Sequence, residues 1–82
     1  ISSHGFFELK THQKEDLMSL LEAHPNFSHM KVETDLITAF LEHPMEAEEL
    51  NRLLFKKGIV LSHLVKRKES LEEQFLQLTD HQ

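Results

Sequence analysis

Between Met30 and Leu41 the hydrophobic pattern changes character, and that change does most to limit the folds open to this chain. Met30-Lys31-Val32-Glu33-Thr34 alternates apolar and polar side chains, as a strand with one buried and one wet face must. Leu36-Ile37-Thr38-Ala39-Phe40-Leu41 is apolar on both faces, the pattern of a strand flanked by neighbours and covered on both sides. With Thr34-Asp35 as a tight turn between them, the two segments predict an antiparallel hairpin whose second strand lies centrally in a sheet.

The flanking segments supply the other elements. Phe6-Phe7-Glu8-Leu9-Lys10-Thr11 is short and half alternating, which predicts a strand. Gln13 to His24 carries Leu17, Leu20 and Leu21 at helical spacing with Met18 beside them; Thr11 can cap its start and Pro25 stops it. His43-Pro44 ends the central strand. Glu46 to Lys57 is a second helix with Leu50, Leu53 and Leu54 as its buried stripe. Glu46, Glu48 and Glu49 at its start and Lys56 and Lys57 at its end complement the helix dipole, and Gly58 suits the left-handed position that closes many helices. Ile59 to Val65 is rich in β-branched and aliphatic residues and predicts a fourth strand. Ser70-Leu71-Glu72-Glu73 is a capping box, opening a third helix with Leu71, Phe75 and Leu78 on one side and Leu76 flanking. The order predicts an α+β fold, a ferredoxin-like β-α-β-β-α-β sandwich with both early helices on one sheet face and an additional C-terminal helix. One domain over 5–79 is expected, with 1–4 and 80–82 as disordered ends.

Composition narrows the function. Lys plus Arg 9 against Asp plus Glu 14 gives a net charge of −5, which opposes general phosphate-backbone binding; no nucleic-acid partner is expected. Without cysteine there is neither a disulfide framework nor a thiolate metal site, and the absence suits a cytoplasmic protein. No apolar run approaches the roughly 20 residues that span a bilayer. Opening on Ile1 rather than Met, the chain is expected to be a piece of a longer protein.

A phosphate-binding loop needs two closely spaced glycines, a Lys and a Ser or Thr, whereas Gly5 and Gly58 lie far apart. Nucleotide hydrolysis within these residues is therefore not expected. Ser62 and His63 are adjacent, but nothing around them resembles a nucleophile elbow. The histidines at 4, 12, 24, 29, 43, 63 and 81 include no i, i+4 pair on a predicted helix, so no metal site is expected. No catalytic residue and no cofactor are assigned to this fragment. Lys66-Arg67-Lys68 is the one basic run, read as a solvated loop that could meet an acidic partner or anionic lipid headgroups. The central strands are apolar on their second face too, so something must cover it, and the third helix is the nearest candidate. Phe6, Phe40, Lys66, Arg67 and Lys68 are the residues expected to face a partner.

From Gly58 the chain reads Gly-Ile-Val-Leu-Ser-His-Leu-Val-Lys-Arg-Lys-Glu-Ser-Leu-Glu-Glu-Gln-Phe-Leu-Gln-Leu-Thr. This resembles the extreme C-terminus of ATP-binding subunits of ABC transporters of the multidrug and gliding-motility type, at Gly58, Ile59, Ser62, Ser70, Leu71, Glu72, Glu73, Phe75, Leu76, Leu78 and Thr79. Phe7-Glu8-Leu9 and Leu50-Asn51-Arg52-Leu53-Leu54 also fit that region. The resemblance implies a non-catalytic accessory domain, with ATP and Mg bound by an upstream nucleotide-binding domain of the same chain. It further implies a transmembrane permease subunit as partner, a homodimeric parent, and a cytoplasmic, peripheral place at the inner face of the cell membrane. The alternative is a ferredoxin-like regulatory domain that binds a small ligand.

Overall fold

Four strands and two helices follow one another in the order expected. A computed structural model of the chain describes residues 4–68; the third helix expected from Ser70 onward lies outside the described residues. The elements are β1 (Phe6–Thr11), α1 (Lys14–Ala23), β2 (Phe27–Glu33), β3 (Leu36–Leu41), α2 (Ala47–Lys56) and β4 (Leu61–Arg67). The sheet order is β2-β3-β1-β4 with every neighbouring pair antiparallel, the ferredoxin-like arrangement.

The core follows from period-2 strands meeting period-3.6 helices. Phe7, Leu9 and Thr11 of β1 and Ile37, Ala39 and Leu41 of β3 point to one face of the sheet. The helices bring Leu17 and Leu21, and Leu50 and Leu54, onto that face, and all four leucines are fully buried. Burying each such side chain is worth about 1.5–3 kcal/mol, so this single layer of contacts holds both helices to the sheet.

Three local expectations are corrected. β2 starts at Phe27 rather than Met30, because a register irregularity between Phe27 and His29 lets Phe27 pair with Leu41 and bury its ring. β4 starts at Leu61 and runs through Lys66 and Arg67, instead of ending at Val65 in a basic loop. Its approach is tied by side chains. The Gln13 amide donates from Nε2 to the Gly58 carbonyl at 2.7 Å and accepts from the Val60 N–H at 2.9 Å, and the Thr11 hydroxyl donates to the Val60 carbonyl at 2.7 Å. With its polar backbone groups held in this way, Val60 is not part of the sheet ladder. The same geometry redirects Thr11, whose Oγ1 accepts from the Gln13 N–H at 3.1 Å while no side chain caps α1. Gly58 takes φ +80° as α2 closes, with the Ile59 N–H donating to the Leu54 carbonyl at 2.9 Å.

The β2–β3 turn carries a misfit. Thr34 has φ +54°, a conformation that crowds a β-branched side chain and that Asn tolerates better. Thr34→Asn is expected to raise stability by about 0.5–1 kcal/mol, read as a higher urea midpoint at unchanged slope. A bond to this residue, from Lys14 Nζ at 3.5 Å, goes to its backbone carbonyl and survives the change. A lower midpoint would show that the threonine side chain contributes more than its strain costs.

Candidate interaction surfaces

Alternation that buries one row of each central strand presents the other row on the opposite face of the sheet. There β1 places Phe6, Glu8 and Lys10, and β3 places Leu36, Thr38 and Phe40, all half-buried. The pairing register sets Phe6 against Phe40, and their rings lie 5.2 Å apart between centroids at 41°. His29 of β2, opposite Phe40, extends the cluster with its ring 5.3 Å away at 35°. Tilted aromatic contacts of this kind add about 0.5–1.5 kcal/mol beyond burial. An apolar patch results at one end of the face, with charges beyond it.

Those charges are partly paired. On the same face, Arg67 of β4 lies opposite Phe6, and its Nε stands 2.8 Å from the Glu8 carboxylate. The Arg67 side chain is 55% exposed, so the pair contributes little stability, about 0–1 kcal/mol; it fixes where the guanidinium stands. Lys10 and Lys31 also belong to this face by register.

The basic run does not act as a unit. Lys66 pairs in register with the core residue Phe7 and therefore points to the helix side of the sheet, where its Nζ lies 3.7 Å from Glu46. Arg67 points to the other side, and Lys68 follows the strand, exposed. Of the residues expected to face a partner, the structure thus brings together Phe6, Phe40 and Arg67, and separates Lys66 from them. The sequence reading missed His29 because it began β2 at Met30; extending the Lys31, Glu33 row two residues back would have found it.

A second surface lies around the α2–β4 turn. Phe55, in the last turn of α2, is 73% exposed, and Val60 just past Gly58 is 63% exposed. Scattered apolar side chains on a surface are ordinary, but a phenylalanine this exposed is a candidate contact residue. A shallow groove between the helices is lined by Asp16, Leu20, Ala23, His24, Leu53 and Lys57.

Of the adjacent Ser62 and His63, Ser62 falls at the irregularity in the β1–β4 register, while His63 pairs with Lys10. Among the described residues no three His, Asp or Glu side chains gather as metal ligands; the rings of His4 and His43 stack with centroids 6.5 Å apart. No helix among the described residues is long and apolar enough to cross a membrane. No family model, curated protein or solved structure matches this chain.

Proposed function

We propose that this domain is the non-catalytic C-terminal accessory domain of the ATP-binding subunit of an ABC transporter, packing on or regulating the upstream ATPase domain that powers export. The observation that carries the reading is the exposure of Phe55 and Val60 on either side of Gly58 and Ile59, where the sequence resemblance begins. Leaving a phenylalanine in water forgoes about 1.5–3 kcal/mol of burial, which a partner domain covering Phe55 would recover. On this reading ATP and Mg belong to the upstream domain, and the permease and a second copy of the parent complete the assembly at the inner face of the membrane. The domain's work is contact.

The test uses the full-length subunit with Phe55→Asp and Val60→Asp together. Both positions are exposed, so the domain's own melting temperature should hold within a degree or two, as surface changes usually stay within ~0.5 kcal/mol. Transport-coupled ATPase activity, or co-purification with the permease, should fall several-fold. Full activity and assembly in this variant would overturn the reading. A metabolite that raises the melting temperature and perturbs Leu20 and Leu53 in the interhelical groove would instead favour a ligand-binding regulatory domain.

A further inference from the structure

The edge of the sheet at β2 poses a separate question, independent of the parent's identity. Among the described strands β2 pairs only with β3, so its outer side offers backbone N–H and C=O groups to a further strand. We propose that two copies of this chain pair through β2, antiparallel about a two-fold axis at Val32, joining their sheets into one of eight strands.

The two edges of the sheet differ in charge. β4 carries Lys66 and Arg67 and no acidic residue, so it offers no unlike pair to its own copy. β2 carries both signs. Lys31 and Glu33 lie on one face, opposite Thr38 and Leu36 of β3, with Val32 between them on the helix side, and all three are exposed. The irregularity in this strand falls between Phe27 and His29, which leaves Met30 to Glu33 regular and free of the bulge that would spoil pairing.

Charge then selects the register. With the axis at Val32, Lys31 of each copy stands opposite Glu33 of the other, their Cβ atoms about 4.5–5.5 Å apart. Two unlike pairs form, one on each side of the axis. An axis at Lys31 or at Glu33 sets that residue against its own copy, and an axis at Met30 sets Lys31 against His29. A lysine on an edge ordinarily deters pairing; opposite Glu33 it favours one register over the rest.

Val32 supplies the apolar part. It is 52% exposed, although its register partner Ile37 is fully buried, and at the axis the two Val32 side chains become cross-strand neighbours. A two-fold contact of this kind closes at two copies. Both outer edges of the joined sheet are then β4, whose cations oppose further growth.

The contact is small and the dimer therefore weak, so the test follows sedimentation of the full chain up to about 1 mM. A monomer–dimer equilibrium is expected, with amide exchange at Met30 to Glu33 slowing as concentration rises and exchange along β4 unchanged. That reading is made on the native chain and needs no variant to fold. Lys31→Glu and Glu33→Lys, each alone, should weaken the dimer at least about tenfold, because each turns both unlike pairs into like ones. Mixed in equal amounts, the two variants should associate with each other as well as the native chain does, since every cross-strand pair is again unlike. A chain that stays monomeric throughout overturns the proposal. So does a dimer that ignores the two charge reversals or is not restored by mixing, or one whose concentration-dependent changes fall on Phe6 and Phe40 rather than on β2, since the copies would then meet through the sheet face.

Discussion

Replacing Gly5 by alanine should cost this domain about 3–4 kcal/mol, at the upper end of what single substitutions do. Two independent effects add at the same atom. Gly5 has φ +89°, a region that costs an L-residue about 1–2 kcal/mol. A Cβ there would also stand 2.4 Å from the Arg67 carbonyl oxygen, closer than any real Cβ contact, and the obstacle is backbone rather than a side chain that can swing aside. Either β4 retreats from β1 at its far end, or the chain before β1 lifts off, and the second option endangers the bond from the Leu41 N–H to the Gly5 carbonyl at 3.0 Å. A small domain holds about 5 kcal/mol in total, so Gly5→Ala should keep only about 1–2 kcal/mol of it.

Gly58→Ala separates the two effects. Gly58 has nearly the same backbone conformation, φ +80°, but nothing lies within 4 Å of a Cβ added there. It should cost about 1 kcal/mol, the backbone preference alone. Urea denaturation of the two variants gives the comparison: equal losses would mean that the close approach to Arg67 is relieved at no cost. The difference also bears on the second sheet face, because retreat of β4 at Arg67 moves the Arg67–Glu8 pair.

How far the sequence alone could go is clearest in the strands. β1 and β3 lie where their patterns placed them, since each has alternating rows with one strongly apolar, and turn residues at the ends. The helices are each shorter than expected by one residue at either end, as terminal turns depend on contacts a periodicity does not encode. β2 was read short because its irregularity breaks the alternation between Phe27 and Met30, leaving His29 off the face it belongs to. β4 was displaced for a different reason. Ile59 and Val60 look like strand residues, but Ile59 is drawn into the core and Val60 is held by Gln13 and Thr11 from a distant part of the chain. The basic run was misjudged by the same error: once β4 extends to Arg67, alternation alone sends Lys66 and Arg67 to opposite faces. The Glu8–Arg67 pair depends on the β1–β4 register, which shifts at Lys10/Thr11, and no local pattern reveals that shift.

Asn26→Ala should lower stability by about 2–3 kcal/mol, because one buried side chain there makes two hydrogen bonds that tie together two connecting segments. Asn26 is 8% exposed. Its Nδ2 donates to the His43 carbonyl at 3.1 Å, and its Oδ1 accepts from the His43 N–H at 2.6 Å, a two-bond clamp of the kind one strand makes with another. Its own backbone takes part as well: its N–H donates to His24 Nδ1 at 3.1 Å, and its carbonyl accepts from the Glu42 N–H at 2.9 Å. The segment between α1 and β2 is thereby tied to the one between β3 and α2, beside the buried Met45. Alanine removes both side-chain partners of His43 and leaves its N–H and carbonyl to find water in a partly buried place, which costs about 1–3 kcal/mol for each group left unpaired. Asn26→Asp keeps the acceptor for the His43 N–H but sets a carboxylate oxygen against the His43 carbonyl, so it should do worse than a loss of one hydrogen bond alone, or about 1 kcal/mol. Hydrogen exchange would locate the damage: in Asn26→Ala the amides of Glu42 and His43 and the first turn of α2 should exchange faster than in the native domain by more than the global loss of stability explains. Uniform acceleration across the sheet, or none at these amides, would show that the clamp contributes no local order and that the crossover is held by the burial of Met45 and Leu50 instead.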